Sequence, residues 1–237
     1  MHPWWLVLAL LVGAGTAWGA QSSGADLLSQ TLAHEEQLPS FATLITNTLG
    51  ADASAVVQCR YWRRRGADGA AQVRVALLPG AERPGVDPAA ATKVFIFSGG
   101  QCTFTFRGRS IAVDPALVPT YGIADFIIPP GPGQAFTVAG SSVQGMSCLH
   151  LTQTIPADPA TKADAIVVDY DIDQGSGLIV QAVRHDGAAL SYGVVRSELE
   201  LGPAATGAAQ FAQPLALRPG VISDLASLTA AFVHGIP

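Results

Sequence analysis

The sequence predicts an α+β protein: one N-terminal helix followed by a long antiparallel sheet with enough strands to curl or close. Three observations carry this. Leu28 and Leu32, with Leu27 and Leu38 nearby, form one apolar stripe at helical spacing. From Phe41 to Leu201 apolar and polar residues alternate with period two. Turn signals such as GADG, SGG, DQGSG and HDG separate nearly all of the alternating runs.

The helix comes first. Ser22 or Ser23 can cap it, it runs to about residue 38, and Pro39 stops it. Glu35 and Glu36 are expected on its polar side. Strands are then expected at 41–48, 55–63, 72–77, 93–97, 102–107, 134–139, 147–154, 165–173, 178–184 and 191–201. Within them Val57, Cys59 and Tyr61 share one face, as do Val73, Val75 and Leu77, and as do Phe104 and Phe106. Ile166, Val168, Tyr170 and Ile172 do the same, which leaves Asp169, Asp171 and Asp173 on the other face. Sequential hairpins of this kind build an antiparallel sheet. The Pro-rich stretches 79–88 and 129–132 read as loops or rim segments. The C-terminal ISDLASLTAAFVHGIP is compatible with a second short helix. No internal repeat or domain boundary interrupts the chain, so the expected organisation is a signal segment over 1–19, one domain over 20–225 and a C-terminal tail over 226–237.

Composition narrows the function. Of 237 residues 49% are hydrophobic and only 13% charged, where roughly a quarter is usual. Thirteen basic residues against 18 acidic ones give a net charge of −5, which argues against a nucleic-acid partner. The opening MHPWWLVLALLVGAGTAWGA has an apolar core from Trp4 to Val12 and small residues, Ala17 and Gly19, suited to signal-peptidase cleavage after Gly19. Its n-region offers only the terminal amine and His2. The rival reading is an uncleaved membrane anchor, since residues 3–20 reach the ~17–25 needed to span. Trp18 and the glycines favour cleavage, and either reading exports the protein. Cys59, Cys102 and Cys148 fit export as one disulfide plus one free thiol, with the pairing open.

Catalysis finds no support. GSSVQG at 140–145 lacks the spacing of a nucleophile elbow and lies between strands. His34, His150, His185 and His234 are scattered over helix, strand, turn and tail. DYDIDQGSG begins like a calcium loop, but Gln174 and Val180 stand where such a loop needs Gly and a bidentate acid. No metal, cofactor or phosphate-binding motif is expected. The basic run Arg60, Arg63, Arg64 and Arg65 reads as a charged strand end, or as a rim that meets anionic headgroups or an acidic partner.

Four stretches carry a family resemblance: RYWRRRGADGAAQVRVALLPG, TKVFIFSGGQCTFTFRGRS, YGIADFIIPPGPGQAFTVAGSSVQGMSCLHLTQTI and VVDYDIDQGSGLIVQAVRHDGAALS. Behind the helix ADLLSQTLAHEEQLPSFATLI, their order resembles the LolA/LolB/RseB superfamily, and more narrowly the outer-membrane lipoprotein-sorting proteins. The segment ADFIIPPGPG departs from the family's pattern, lacking its polar-aromatic continuation and second acid. The resemblance implies a strongly curved half-barrel with the N-terminal helix, and a second if present, on its concave side, and a cavity there for acyl chains. Tyr61, Val73, Val75, Leu77, Phe95, Phe97, Phe104, Phe106, Phe136 and Val138 are the residues expected to line it. It implies a periplasmic carrier of lipids or lipidated proteins, working without a cofactor. Two alternatives stand beside it: a regulatory or assembly module that grips another exported, membrane-associated protein, and a secreted hydrolase. The same aromatics could also simply fill the space under the helix.

Overall fold

Ser23 opens the first helix: its hydroxyl accepts the backbone N–H of Asp26 at 3.2 Å. Helix α1 runs Gly24–Gln37, and Leu38 ends it by donating its N–H to the carbonyls of His34 and Glu35. The computed structural model describes residues 23–49, 55–66, 68–79, 92–118, 122–158, 160–161, 163–212 and 216–236. The expected signal segment and most of the first Pro-rich loop lie outside them.

Twelve strands follow as one sheet: β1 (Ser40–Leu49), β2 (Ala55–Arg65), β3 (Ala71–Leu77), β4 (Lys93–Ser98), β5 (Gln101–Phe106), β6 (Arg109–Val113), β7 (Ala135–Val143), β8 (Met146–Ile155), β9 (Ile166–Asp173), β10 (Ile179–Asp186), β11 (Ala189–Leu201) and β12 (Arg218–Ile222). Their spatial order is β12-β6-β5-β4-β3-β2-β1-β11-β10-β9-β8-β7. The outer strands β7 and β12 do not pair, so the curved sheet stays open. All neighbours are antiparallel except β12, which runs parallel to β6. All ten expected strands are present. Two more are added: β6, entered through a tight turn at Arg107 and Gly108 (φ 51° and 72°), and β12, whose RPGVI carries two residues that normally argue against a strand.

The chain reaches β12 by a long crossover. Residues 202–212 leave β11 near the middle of the sheet, and Gln210 and Phe211 among them lie against its outer face. Arg74 Nη1 donates to the Gln210 carbonyl at 3.0 Å, and the Arg64 guanidinium lies 4.3 Å from the Phe211 ring. Beyond β12 the chain returns to the other face as helix α2 (Leu225–His234). The second helix allowed by the sequence is therefore present.

One buried cluster occupies the concave face. It joins Leu27 and Leu28 of α1 and Leu228 and Ala231 of α2 to Ile45, Val75, Phe95, Phe104, Leu151, Tyr170 and Val194 of the sheet. Two expectations are corrected. Glu35 is on the buried stripe of α1 rather than its polar side, because Arg196 of β11 meets it there. No disulfide forms: all three cysteines are buried free thiols. Strand order explains this. Cys59 on β2 and Cys102 on β5 are three strands apart, roughly 14 Å at sheet spacing, well beyond disulfide reach. Cys148, paired with Ser141 and Asp173, faces the opposite side of β8 from Leu151.

Candidate functional site

The hairpin KVFIFSGGQCTFTF sits at the centre of one half of the concave face. Cross-strand register sets its residues in rows. Tyr61 pairs with Val75, Val75 with Phe95 and Phe95 with Phe104. In the next row Arg63 pairs with Val73, Val73 with Phe97 and Phe97 with Cys102. Partners in a row project to the same face, so Tyr61, Val73, Val75, Leu77, Phe95, Phe97, Phe104 and Phe106 gather on one surface. All eight lie in or against the buried cluster.

That surface is covered by α2. Phe232 lies parallel to Phe104, with centroids 5.4 Å apart and planes 7° apart, and it stacks on Phe95 at 5.9 Å. Phe95 and Phe104 stack on each other at 4.8 Å. The three rings form a single aromatic stack, contributed by two strands and the C-terminal helix. Lys93 sits above its edge, its Nζ 4.5 Å from the Phe232 centroid and 5.2 Å from that of Phe106. Burial, and then the nearby Arg107 charge, hold the Lys93 amine below its ordinary pKa.

Helix α2 is fixed at its ends. Asp224 caps it by accepting the Ser227 N–H at 2.8 Å, a bond that holds its carboxyl below the usual range. Gly235 closes it at φ 100°, a conformation open mainly to glycine. Arg109 Nη1 donates to the Ile236 carbonyl at 2.9 Å. The helix's outer side carries Leu225 and Val233, 66% and 62% exposed.

Phe136 and Val138 do not join the eight. They lie on edge strand β7, at the far end of the sheet, in register with Gln153 and Leu151. Phe136 packs under the start of α1, where a Cβ on Gly24 would come within 2.5 Å of the Phe136 Cβ. Val138 faces the same side but is 42% exposed at the open edge.

Between these ends, residues 127–134 cross the concave face and are tied down by buried polar atoms. Tyr170 donates its hydroxyl to Gln153 Oε1 at 2.8 Å and accepts the Ile128 N–H at 3.3 Å. Gln153 Nε2 donates to Gln134 Oε1 at 2.8 Å and to the Ile128 carbonyl at 3.1 Å. Tyr192 donates to the Phe126 carbonyl. Burial pushes the Tyr170 phenol up and that of Tyr192 to about 12.

The basic rim is used internally. Arg63 donates to the carbonyls of Glu35 at 2.7 Å and Glu36 at 3.1 Å, closing the C-terminus of α1. Arg64 donates to Gln72 Oε1 at 2.7 Å, and Arg65 to the carbonyls of Gly69 and Glu36. The acidic strand also turns inward on its own neighbours. Asp171 Oδ1 holds His150 Nδ1 at 3.0 Å and accepts the Ser141 hydroxyl at 2.7 Å, while Asp169 accepts Thr152 at 2.6 Å. Asp173 accepts from the backbone and hydroxyl of Ser176. Among the described residues no group of three ligating side chains is placed to hold a metal ion.

Sequence reasoning missed Phe232, Lys93 and Arg196. Phe232 had a legible signal, since Leu228, Ala231 and Phe232 fall at helical spacing. Arg196 had none: an arginine in an alternating strand reads as exposed.

No family model and no curated protein matches the sequence. The fold does match solved structures. The Pseudomonas aeruginosa MucA/MucB complex aligns with TM-score 0.55 at 16% identity, over 81% of this chain and 61% of that one. A structure of MucB alone aligns at 0.51 and 17%, over 81% and 63%. The chain thus spans about three fifths of the MucB chains it matches. The Mycobacterium tuberculosis lipoprotein LppX aligns at 0.46 and 16%, over 74% and 94%. Among the described residues no helix is long and apolar enough to cross a membrane. A helix-covered, open antiparallel half-barrel of this topology is the LolA/LolB/RseB-like fold, and the chain has that fold.

Proposed function

We propose that the chain is an exported, periplasmic binding protein that holds an acyl chain, free or attached to a lipidated protein, on the aromatic half of its concave face, and performs no chemistry. One observation carries this reading. The aromatic stack is completed by Phe232, a residue of a short helix whose capping contacts sit at its ends. An acyl chain that replaces α2 exchanges one apolar occupant for another. Burying about ten methylenes contributes roughly 8 kcal/mol at ~0.8 kcal/mol each, enough to offset undocking the 10-residue helix. The exposed Leu225 and Val233 give the displaced helix an apolar side with which to meet a lipid surface or a lipidated partner.

Titration with a fluorescent long-chain fatty acid tests the proposal. Saturable uptake that tightens in Phe232→Ala supports it. Uptake absent from both the parent and the folded variant contradicts it.

The alternative is a module that grips another exported protein through the same fold, and the likeness to MucB, solved in complex with MucA, favours it. Contact through Arg63–Arg65 is not the route we propose, because Arg63 and Arg65 already anchor α1 and Arg64 is held by Gln72.

A further inference from the structure

The outer face of the same strands carries a second apolar cluster. Across the sheet, Arg60 pairs with Ala76, Ala76 with Val94 and Val94 with Thr105; alongside, Trp62 pairs with Arg74 and Arg74 with Ile96. Ala76, Val94 and Ile96 are buried here and Trp62 packs against them. A face that met only solvent would carry polar residues at these positions. Instead Trp62, Ala76 and Val94 floor a groove of about 630 Å³ that runs to the Arg107–Gly108 turn, within the range of small-molecule sites.

The groove's charge is one-sided. Among the described residues Arg60, Arg74 and Arg107 line it and no carboxylate does, in a chain whose net charge is −5. Arg60 is paired at the rim with Glu198 at 2.6 Å. Arg107 lies 4.9 Å from the Phe106 ring and makes no ion pair among the described residues. Arg74 lies 5.4 Å from the Trp62 ring, gives Nη1 to the Gln210 carbonyl, and keeps a buried Nε with no hydrogen-bond partner. A buried donor left unused on a half-buried guanidinium is costly unless something supplies an acceptor. Burial lowers the Arg74 pKa by penalising its charged form.

We infer that this outer groove binds a small anionic amphiphile: a carboxylate or phosphate head between Arg74 and Arg107, and a compact, flat apolar body on Trp62, Ala76 and Val94. The site is separate from the concave acyl face and does not depend on it. Arginine matches either oxyanion head, so the head group's identity is left to the test.

Isothermal titration of the full chain with 2-naphthoate, 2-naphthyl phosphate and neutral 2-naphthol reads the site. The ¹H–¹⁵N signal of the Trp62 indole, assigned by its loss in Trp62→Phe, locates the binding. Either anion should bind at least about tenfold more tightly than 2-naphthol, the size of one lost charge-assisted hydrogen bond, and should shift the Trp62 signal; the tighter anion identifies the head. Arg74→Gln should weaken the anions about tenfold and leave 2-naphthol unchanged. If Arg74→Gln fails to fold, Arg107→Asn serves, because asparagine tolerates the φ of 51° at that exposed turn. A saturating neutral long-chain alcohol, which can fill the concave acyl face but offers no anionic head, should leave the Trp62 shift in place. Equal affinity for anion and 2-naphthol, or anion binding untouched by both arginine variants, overturns the inference.

Discussion

Glu35 of α1 and Arg196 of β11 meet through two hydrogen bonds, of 2.7 and 2.8 Å, and Arg196 is 1% exposed. Arg196 also donates to the Ile179 carbonyl at 3.2 Å and lies 5.4 Å from the Phe41 ring. The pair joins the C-terminal half of α1 to the middle of the sheet. Removing one partner strands the other charge in the core, so Glu35→Ala should cost about 3–5 kcal/mol in urea unfolding. The double change Glu35→Leu/Arg196→Met should cost much less than the sum of the single changes. Additive losses would show that the two residues act independently.

Phe232 is predicted to couple stability and binding in opposite senses. Phe232→Ala should lower stability by roughly 2 kcal/mol, below the ~3–5 of a fully buried phenylalanine, because the residue is only partly buried. The same change should strengthen fatty-acid uptake by emptying the place that the Phe232 ring takes against Phe95 and Phe104. Thermal melts and probe titrations on one preparation compare the two effects.

The α1 end makes a packing prediction. A Cβ on Gly24 would lie 2.5 Å from the Phe136 Cβ and 2.9 Å from Leu151 Cδ1. Gly24→Val should therefore cost about 1–3 kcal/mol through overpacking and lift the start of α1 from β7 and β8. Amide exchange at residues 24–28 should speed up while exchange around Phe104 stays unchanged.

The thiols should be inert in the folded protein. Burial pushes Cys59 and Cys102 up to about 12 and raises Cys148 as well, so little thiolate is present at pH 8. Ellman's reagent should report no thiols in the folded chain and three in urea. The same shifts set an alkaline limit. Unfolded thiols ionise near 8.5 while the folded ones keep their protons, so the unfolded state loses protons first. Stability should hold below about pH 8.5 and fall as pH rises towards 12. A flat melting temperature across that window would contradict the burial described here.

Much of this was legible in the sequence, for physical reasons that also explain the gaps. Period-two alternation fixes which face a side chain takes, and Tyr61, Val75, Phe95 and Phe104 do fall on one surface. Alternation says nothing about strand order, so it could not separate Phe136 and Val138 on the far edge from the hairpin residues. It also could not rule out a disulfide, since Cys59 and Cys102 share a face while lying three strands apart. Glu35 and Arg196 look exposed when each is read alone, and only the fold brings them together. Strand β12 was hidden because its proline and glycine are tolerated at a sheet edge held by a few pairs to β6.

The central claim is that the concave aromatic face takes an acyl chain in place of Phe232. Native mass spectrometry of the chain purified from a periplasm without detergent, followed by extraction of whatever is bound, tests it most directly. The expected result is an added mass that resolves into acyl-chain species and increases in occupancy in Phe232→Ala. An apo mass in both proteins, with no fatty acid taken up on addition, would contradict it and leave Phe95, Phe104 and Phe232 as core.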